Sequence, residues 1–159
     1  MESRELVQGL YWLTVISVVQ TQDEISERRL FAGRVRLRNM KALVVDDSST
    51  IRMFLRSILV PLGFEVTMAK NGNEGLEELV NPPQPDLVLI DWHMPEMDGL
   101  QLLTEIRSRP ELDQMTVVMV TAENDLSQIS LALDSGANEY VMKPLTREIV
   151  TEKLQMLGF

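Results

Sequence analysis

Acidic residues end two short apolar runs of this 159-residue chain, where they could bind a metal ion or accept a transferred group. Asp46 and Asp47 follow the first run, and Asp91 ends a later one. A further apolar run ends at Thr121, and the next is followed by Lys143. Three carboxylates, a hydroxyl and an ammonium are therefore candidates for a single site.

Three carboxylates in one place cannot all stay ionised cheaply, because like charges ~4 Å apart repel by about 4 kcal/mol at an effective dielectric constant of ~20. Either one of them is protonated or a cation lies among them. Hard divalent cations take oxygen ligands, and Mg²⁺ in particular combines one or two carboxylates with waters and phosphate oxygens. A single histidine and no cysteine argue against a zinc or copper site. The predicted cofactor is therefore Mg²⁺.

A divalent cation beside a carboxylate also suits phosphoryl transfer, because the charge of the transferred group must be neutralised. Asp91 is the predicted acceptor, since a central strand would aim it between the Asp46-Asp47 pair and Lys143. Lys143 would bring a positive charge to the phosphoryl oxygens, and Thr121 would offer a hydroxyl donor.

The elements that position these side chains follow from the apolar pattern. Short, uniformly apolar runs are typical of parallel strands buried on both faces. Strands are predicted at 42–45, 65–68, 86–90, 116–120 and 139–142, and helices at 51–59, 74–80, 100–108, 126–135 and 147–157. This alternation predicts a doubly wound α/β domain, whose ligands bind beyond the carboxyl ends of the strands.

Two helices carry more detailed predictions. Ser48, Ser49 and Thr50 are good N-cap residues and predict the start of the first helix, and Pro61 with Gly63 predicts its end. In the helix at 126–135, an apolar stripe of Leu126, Ile129 and Leu133 is expected to face the core, with Leu131 and Ala132 widening the apolar surface.

Composition limits the cellular role. The net charge of −9 removes the electrostatic attraction that nonspecific nucleic-acid binding needs, so protein partners are expected. The absence of cysteine favours a reducing compartment, the cytoplasm. The excess acid follows residue 39, because residues 1–39 hold six arginines and five acids. We therefore expect an N-terminal extension at 1–39 and one domain at 40–159.

The extension contains one apolar run at 10–19, which is too short to cross a bilayer and does not follow a net-positive start, so neither a membrane span nor a signal peptide is expected. Three interpretations are open: a disordered or loosely helical tail, an interfacial or partner-binding helix, or a stretch translated only from an upstream start codon.

Four motifs together resemble the receiver domains of two-component response regulators, most of all the stand-alone chemotaxis type. They are the Asp46-Asp47 pair, LIDWHMPEMDG at 89–99, VTA at 120–122 and YVMKP at 140–144. They occur in the family's order between about Met40 and Phe159. The resemblance implies a flavodoxin-like fold, with five parallel strands in the order 2-1-3-4-5 and five helices.

The same resemblance implies site roles. Asp91 would be the phosphorylation site, and Mg²⁺ would be bound by Asp47, Asp91 and the backbone carbonyl of His93, with Asp46 assisting through water. Thr121 and Lys143 would hold the phosphoryl group.

Three further residues would act after phosphorylation. Tyr140 would be the aromatic that changes rotamer, and the surface of the fourth helix, fifth strand and fifth helix would bind partners. Side chains at His93 and Glu123 would set the lifetime of the phosphoryl group.

The implied phosphodonor is a histidine kinase, with small phosphodonors as substitutes, and the implied target is a downstream protein such as a flagellar switch component or another effector. The chain is expected to be a monomer that phosphorylates itself from small donors, loses the group slowly and is not an enzyme. Since about one helix follows Lys143, no DNA-binding module is expected.

Three alternatives remain. The chain could be a phosphorelay intermediate or a degenerate receiver that acts only as a docking scaffold. It could also be a phosphohydrolase that forms an aspartyl-phosphate, although such enzymes usually need a second acid where this chain has His93.

Overall fold

The computed structural model describes residues 40–122 and 126–159. The predicted extension at 1–39 and the predicted role of Glu123 lie outside these residues. Within the described ranges, each helix is too short or too polar to cross a membrane.

Five strands alternate with five α-helices along the described chain. The strands are β1 Met40–Val45, β2 Phe64–Ala69, β3 Leu87–Asp91, β4 Thr116–Thr121 and β5 Glu139–Met142. The helices are α1 Ser49–Leu59, α2 Gly72–Val80, α3 Gly99–Arg107, α4 Leu126–Asp134 and α5 Arg147–Met156, with a short 3₁₀ helix at Val60–Leu62.

All neighbouring strands pair in parallel, in the order β2-β1-β3-β4-β5. The predicted doubly wound α/β fold and its strand order are therefore confirmed. The register aligns Val45 of β1 with Ile90 of β3, and Asp91 with Val120 of β4. The carboxyl ends of β1, β3 and β4 consequently lie side by side.

The sheet separates two apolar cores because successive strand residues point to opposite faces. Val88 and Ile90 pack in one buried cluster, whereas Leu87 and Leu89 pack in the other. Every residue of β3 is buried, as the uniformly apolar pattern predicts for a central strand.

The helix starts are fixed by side-chain caps. Ser48 Oγ accepts a hydrogen bond from the Ile51 amide at 3.5 Å, so Ser48 is the one of the three candidate residues that caps α1. Asn71 caps α2 at the Glu74 amide, and the helix begins at Gly72, two residues before its predicted start. Gly63, with φ of 94°, follows the 3₁₀ helix in the left-handed conformation that glycine adopts without strain.

One predicted helix face is wrong in part. Ile129 and Ala132 of α4 are buried, but Leu131 is 46% exposed and Leu133 41% exposed. A spacing of three keeps Ile129 and Ala132 on one side, and the next position, Leu133, is rotated by ~100° towards solvent. The core-facing stripe therefore runs through Ala132 rather than Leu133.

Arg107, the last residue of α3, binds two loops at the amino-terminal side of the sheet. Its Nε donates to the Gly136 carbonyl at 2.9 Å, and its Nη atoms donate to the carbonyls of Asp113 and Met115, both at 3.0 Å. Nη2 also donates to Asn138 Oδ1 at 2.9 Å. The guanidinium therefore ties α3 to the segments that enter β4 and β5.

Candidate functional site

The three predicted acids form one cluster. Asp46 and Asp47 directly follow β1, and Asp91 is the last residue of the neighbouring β3. Each offers a carboxylate oxygen, and these atoms lie within 4.8 Å of one another. Asp46 and Asp91 are 1% and 5% exposed, whereas Asp47 is exposed. The site therefore has a buried floor and one accessible acid.

Lys143 joins the cluster from the loop after β5. Its Nζ donates to Asp91 Oδ1 at 2.7 Å and to Asp46 Oδ2 at 3.2 Å. Its backbone amide donates to the Thr121 carbonyl at 2.7 Å, and its peptide bond to Pro144 is cis. The ammonium thus bridges two of the three acids.

Thr121 lies beside this pair. It is the last residue of β4, is 3% exposed, and follows Val120, the residue that pairs with Asp91. The structure therefore brings Asp46, Asp47, Asp91 and Lys143 together and places Thr121 on the adjoining strand end.

The pKa values of Asp91 and Lys143 are both raised, which disfavours the charged form of the acid and favours the charged form of the lysine. Desolvation raises the pKa of Asp91 above its ordinary value, and the negative charge of Asp46 adds to this, although the hydrogen bond from Lys143 opposes it. Desolvation lowers the pKa of Lys143, but the hydrogen bond and attraction from Asp91 outweigh it, so that pKa is raised. Lys143 is thus held positive, whereas the negative charge of Asp91 is only partly compensated.

The donor set fits a hard divalent cation. Three carboxylates with oxygens within 4.8 Å of one another supply the ligands that Mg²⁺ prefers. Three carboxylates face the single ammonium of Lys143 in this cluster, so a cation would relieve their mutual repulsion. The His93 side chain is exposed in the loop after β3, so its backbone carbonyl as a ligand stays a prediction.

Gly99 lies close against the main chain of Asp91, the predicted acceptor. Its amide donates to the Trp92 carbonyl at 2.9 Å. A Cβ atom here would overlap the Asp91 carbonyl oxygen and lie 3.0 Å from Met119 Cε. Sequence reasoning missed this packing role, because an Asp98-Gly99 pair also marks an ordinary helix start.

Arg52 was also missed. One of its guanidinium nitrogens, Nη1, donates to the carbonyls of Asp46 at 2.6 Å and Asp47 at 3.1 Å. The only signal in the sequence is an arginine about one helical turn beyond the N-cap Ser48, which by itself is typical of a solvated helix face.

Tyr140 is partly buried against the core cluster that contains Ile90. Lys153 Nζ of α5 lies 5.2 Å from the centroid of its ring and 3.1 Å from Glu139 Oε1. The same Glu139 oxygen accepts a hydrogen bond from the Tyr140 amide at 2.9 Å. Glu139 and Lys153 thus contact the predicted switch residue at its amide and its ring; its rotamer change stays a prediction.

Comparisons with known proteins agree with this geometry. The sequence model described as "Response regulator receiver domain" matches residues 42–155. Chemotaxis protein CheY1 of Helicobacter pylori is 39% identical over 119 residues, covering 74% of this chain and 96% of that protein. Chemotaxis protein CheY-3 of Vibrio cholerae is 40% identical over 122 residues, covering 76% and 92%. The structure of Vibrio cholerae CheY4 aligns with a TM-score of 0.70 at 28% identity, covering 75% and 98%.

Proposed function

The chain belongs to the response regulator receiver domain family, and on that premise we propose that it is a phosphorylation-activated switch with Asp91 as its phosphoacceptor. Residues 40–159 are proposed as the receiver unit. The observation that carries the proposal is the ammonium of Lys143, which bridges buried Asp91 and Asp46 in the acidic cluster.

The proposed reaction transfers a phosphoryl group from the phosphohistidine of a kinase. A carboxylate oxygen of Asp91 attacks phosphorus, the bond between phosphorus and the imidazole nitrogen breaks, and that nitrogen takes up a proton. Lys143 stays positive through this step and attracts the phosphoryl oxygens, to which Thr121 donates its hydroxyl.

Asp46, Asp47 and Asp91, with the His93 carbonyl, are the residues proposed to hold Mg²⁺. When bound, the ion would neutralise charge on the phosphoryl oxygens. The exposure of Asp47 leaves a route by which solvent and a phosphodonor reach the buried acids.

Signalling is proposed to use the surface formed by α4, β5 and α5. This surface carries exposed apolar side chains from each element, Leu131, Met142 and Ile149, which are 46%, 44% and 39% exposed. Both helices pack against β5, and exposed apolar side chains on neighbouring elements can be covered by a protein partner. Movement of Thr121 towards the phosphoryl group and of Tyr140 after it would change how this surface packs.

The deciding experiment is intact mass spectrometry after incubation with Mg²⁺ and acetyl phosphate or phosphoramidate. We expect one added phosphoryl group on the native protein and on Asp134→Asn, a change in an exposed acid of α4, but none on Asp91→Asn. An unmodified native protein would contradict the proposal and favour the docking-scaffold alternative.

Relatives that are chemotaxis proteins support a chemotaxis pathway, with a histidine kinase as donor and a flagellar switch component or another effector as target. A phosphorelay intermediate is the second candidate, and it would pass its phosphoryl group to a histidine of another protein. Capture experiments with phosphorylated and unphosphorylated protein separate the two. An aspartyl-phosphate phosphohydrolase would instead show steady-state turnover of phosphomonoesters.

A further inference from the structure

We propose that Arg52 is a positioning residue that fixes the Asp46-Asp47 pair in the geometry needed for divalent cations, an inference that rests on the proposed function. Arg52 lies in the first half of α1 and reaches back to the end of β1. It contacts the two acids only through their main chain in the described structure, which separates its role from that of Lys143.

One nitrogen of Arg52 donates to two consecutive main-chain carbonyls. Nη1 of Arg52 lies 2.6 Å from the Asp46 carbonyl oxygen and 3.1 Å from that of Asp47. The Asp46 carbonyl lies in the peptide plane before the Asp47 Cα atom, and the Asp47 carbonyl lies in the plane after it, so the shared nitrogen restrains both planes. These two planes set the backbone angles of Asp47 and hence the direction of its Cα–Cβ bond.

The two acids depend on this contact to different degrees. The Asp46 carboxylate is also held by the Ser48 amide at Oδ1, 2.8 Å, and by Lys143 at Oδ2, 3.2 Å. The Asp47 side chain is exposed, and Arg52 holds its carbonyl. We therefore expect the loss of Arg52 to displace mainly Asp47, the acid that a cation reaches first from solvent.

A simple electrostatic effect of Arg52 would have the opposite sign. A guanidinium near three carboxylates repels a divalent cation, so removing its charge would tighten Mg²⁺ binding by Coulomb's law. Removing a positioning contact weakens binding instead, because outer-shell partners that orient ligands change metal affinity by about tenfold or more. The direction of the change in affinity therefore distinguishes the two roles.

The test is a titration with Mg²⁺ alone, followed by the fluorescence of Trp92, which adjoins Asp91 and is 8% exposed. A Trp12→Phe background removes the second tryptophan of the chain. We expect Arg52→Ala to raise the Kd for Mg²⁺ about tenfold, Arg52→Lys to recover part of the affinity, and Arg56→Ala, at an exposed position on the same helix, to leave it unchanged.

Folding is checked by thermal unfolding of each variant in EDTA. If Arg52→Ala destabilises the domain, Arg52→Lys is the variant that tests the proposal. Its ammonium restores a hydrogen-bond donor, so its Kd for Mg²⁺ must be lower than that of Arg52→Ala. An unchanged or lower Kd in Arg52→Ala would overturn the inference.

A phosphorylation assay distinguishes a failure of the Arg52 inference from a failure of the proposed function. With saturating Mg²⁺, Arg52→Ala should reach the native rate of modification by acetyl phosphate, because only the affinity for the ion is impaired. A native protein that never gains a phosphoryl group would refute the function. A native protein that does, beside an Arg52→Ala variant with unaltered Mg²⁺ affinity, would refute only the role of Arg52.

Discussion

Lys143 Nζ lies 2.7 Å from Asp91 Oδ1, although 52 positions separate the two residues in the sequence. The contact passes across the end of β4, where the Lys143 amide also binds the Thr121 carbonyl. The same ammonium reaches Asp46, 97 positions away. The site therefore exists only when the sheet has formed, and its charge balance depends on one lysine.

Replacing that lysine should strengthen cation binding. Two unit charges ~5 Å apart interact by about 3 kcal/mol at an effective dielectric constant of ~20, and the partial exposure of Lys143 reduces this. We expect Lys143→Met to lower the Kd for Mg²⁺ about tenfold, measured by titration calorimetry. Lys41→Met, at the opposite end of β1, is the matched control; weaker binding in Lys143→Met would contradict the expectation.

Asp91 should make stability depend on pH in the absence of divalent cations. Its pKa is raised in the folded chain, so the folded state binds this proton more tightly than the unfolded state does. Stability is then lost as pH rises from the ordinary aspartate pKa through the raised value. We expect Asp91→Asn to be more stable than the native protein at pH 7 in EDTA.

Urea unfolding of both proteins at several pH values measures this difference. The advantage of Asp91→Asn should shrink below the ordinary aspartate pKa, where the native carboxyl is protonated in both states. Mg²⁺ at pH 7 should also shrink it, by stabilising the native protein more. A variant no more stable than the native protein at pH 7 would be inconsistent with this balance.

Gly99→Ala should destabilise the domain through a clash at the site. The new Cβ would overlap the Asp91 carbonyl oxygen, and overpacking of this kind costs about 1–3 kcal/mol or more. Gly63→Ala is a useful comparison, because its Cβ would meet nothing within 4 Å and only its φ of 94° is unfavourable. Urea unfolding should show a larger loss of stability in Gly99→Ala than in Gly63→Ala. Phosphorylation should be impaired only in Gly99→Ala.

Glu139 and Lys153 should bias the position of Tyr140. Glu139→Gln weakens the ion pair that holds the Lys153 ammonium over the ring, so the ring should leave its present position more often. NMR of the Tyr140 ring should show unphosphorylated Glu139→Gln shifted towards the phosphorylated spectrum. Glu152→Gln, at an exposed position beside Lys153 on α5, should leave the spectrum unchanged; equal shifts in the two variants would exclude a specific effect.

The sequence predicts the centre of the sheet well because β1, β3 and β4 are short apolar runs that end in, or are followed by, a polar residue. Asp46, Asp91 and Thr121 could be assigned to one edge from that rule alone. Leu133 could not be placed, because small rotations of a helix decide which of two adjacent apolar residues is buried. Arg52 and Gly99 act through main-chain oxygens, and no residue pattern encodes such contacts.

The guanidinium of Arg107 restrains the amino-terminal ends of β4 and β5. It fastens α3 to the segments that lead into β4 and β5, at the side of the sheet opposite the acids. Asn138 reinforces this fastening, since its Oδ1 also accepts the Val117 amide at 2.8 Å. Because these bonds hold the entries of β4 and β5, we expect the rearrangement proposed at Thr121 and Tyr140 to be confined to the opposite edge of the sheet, beside the acidic cluster.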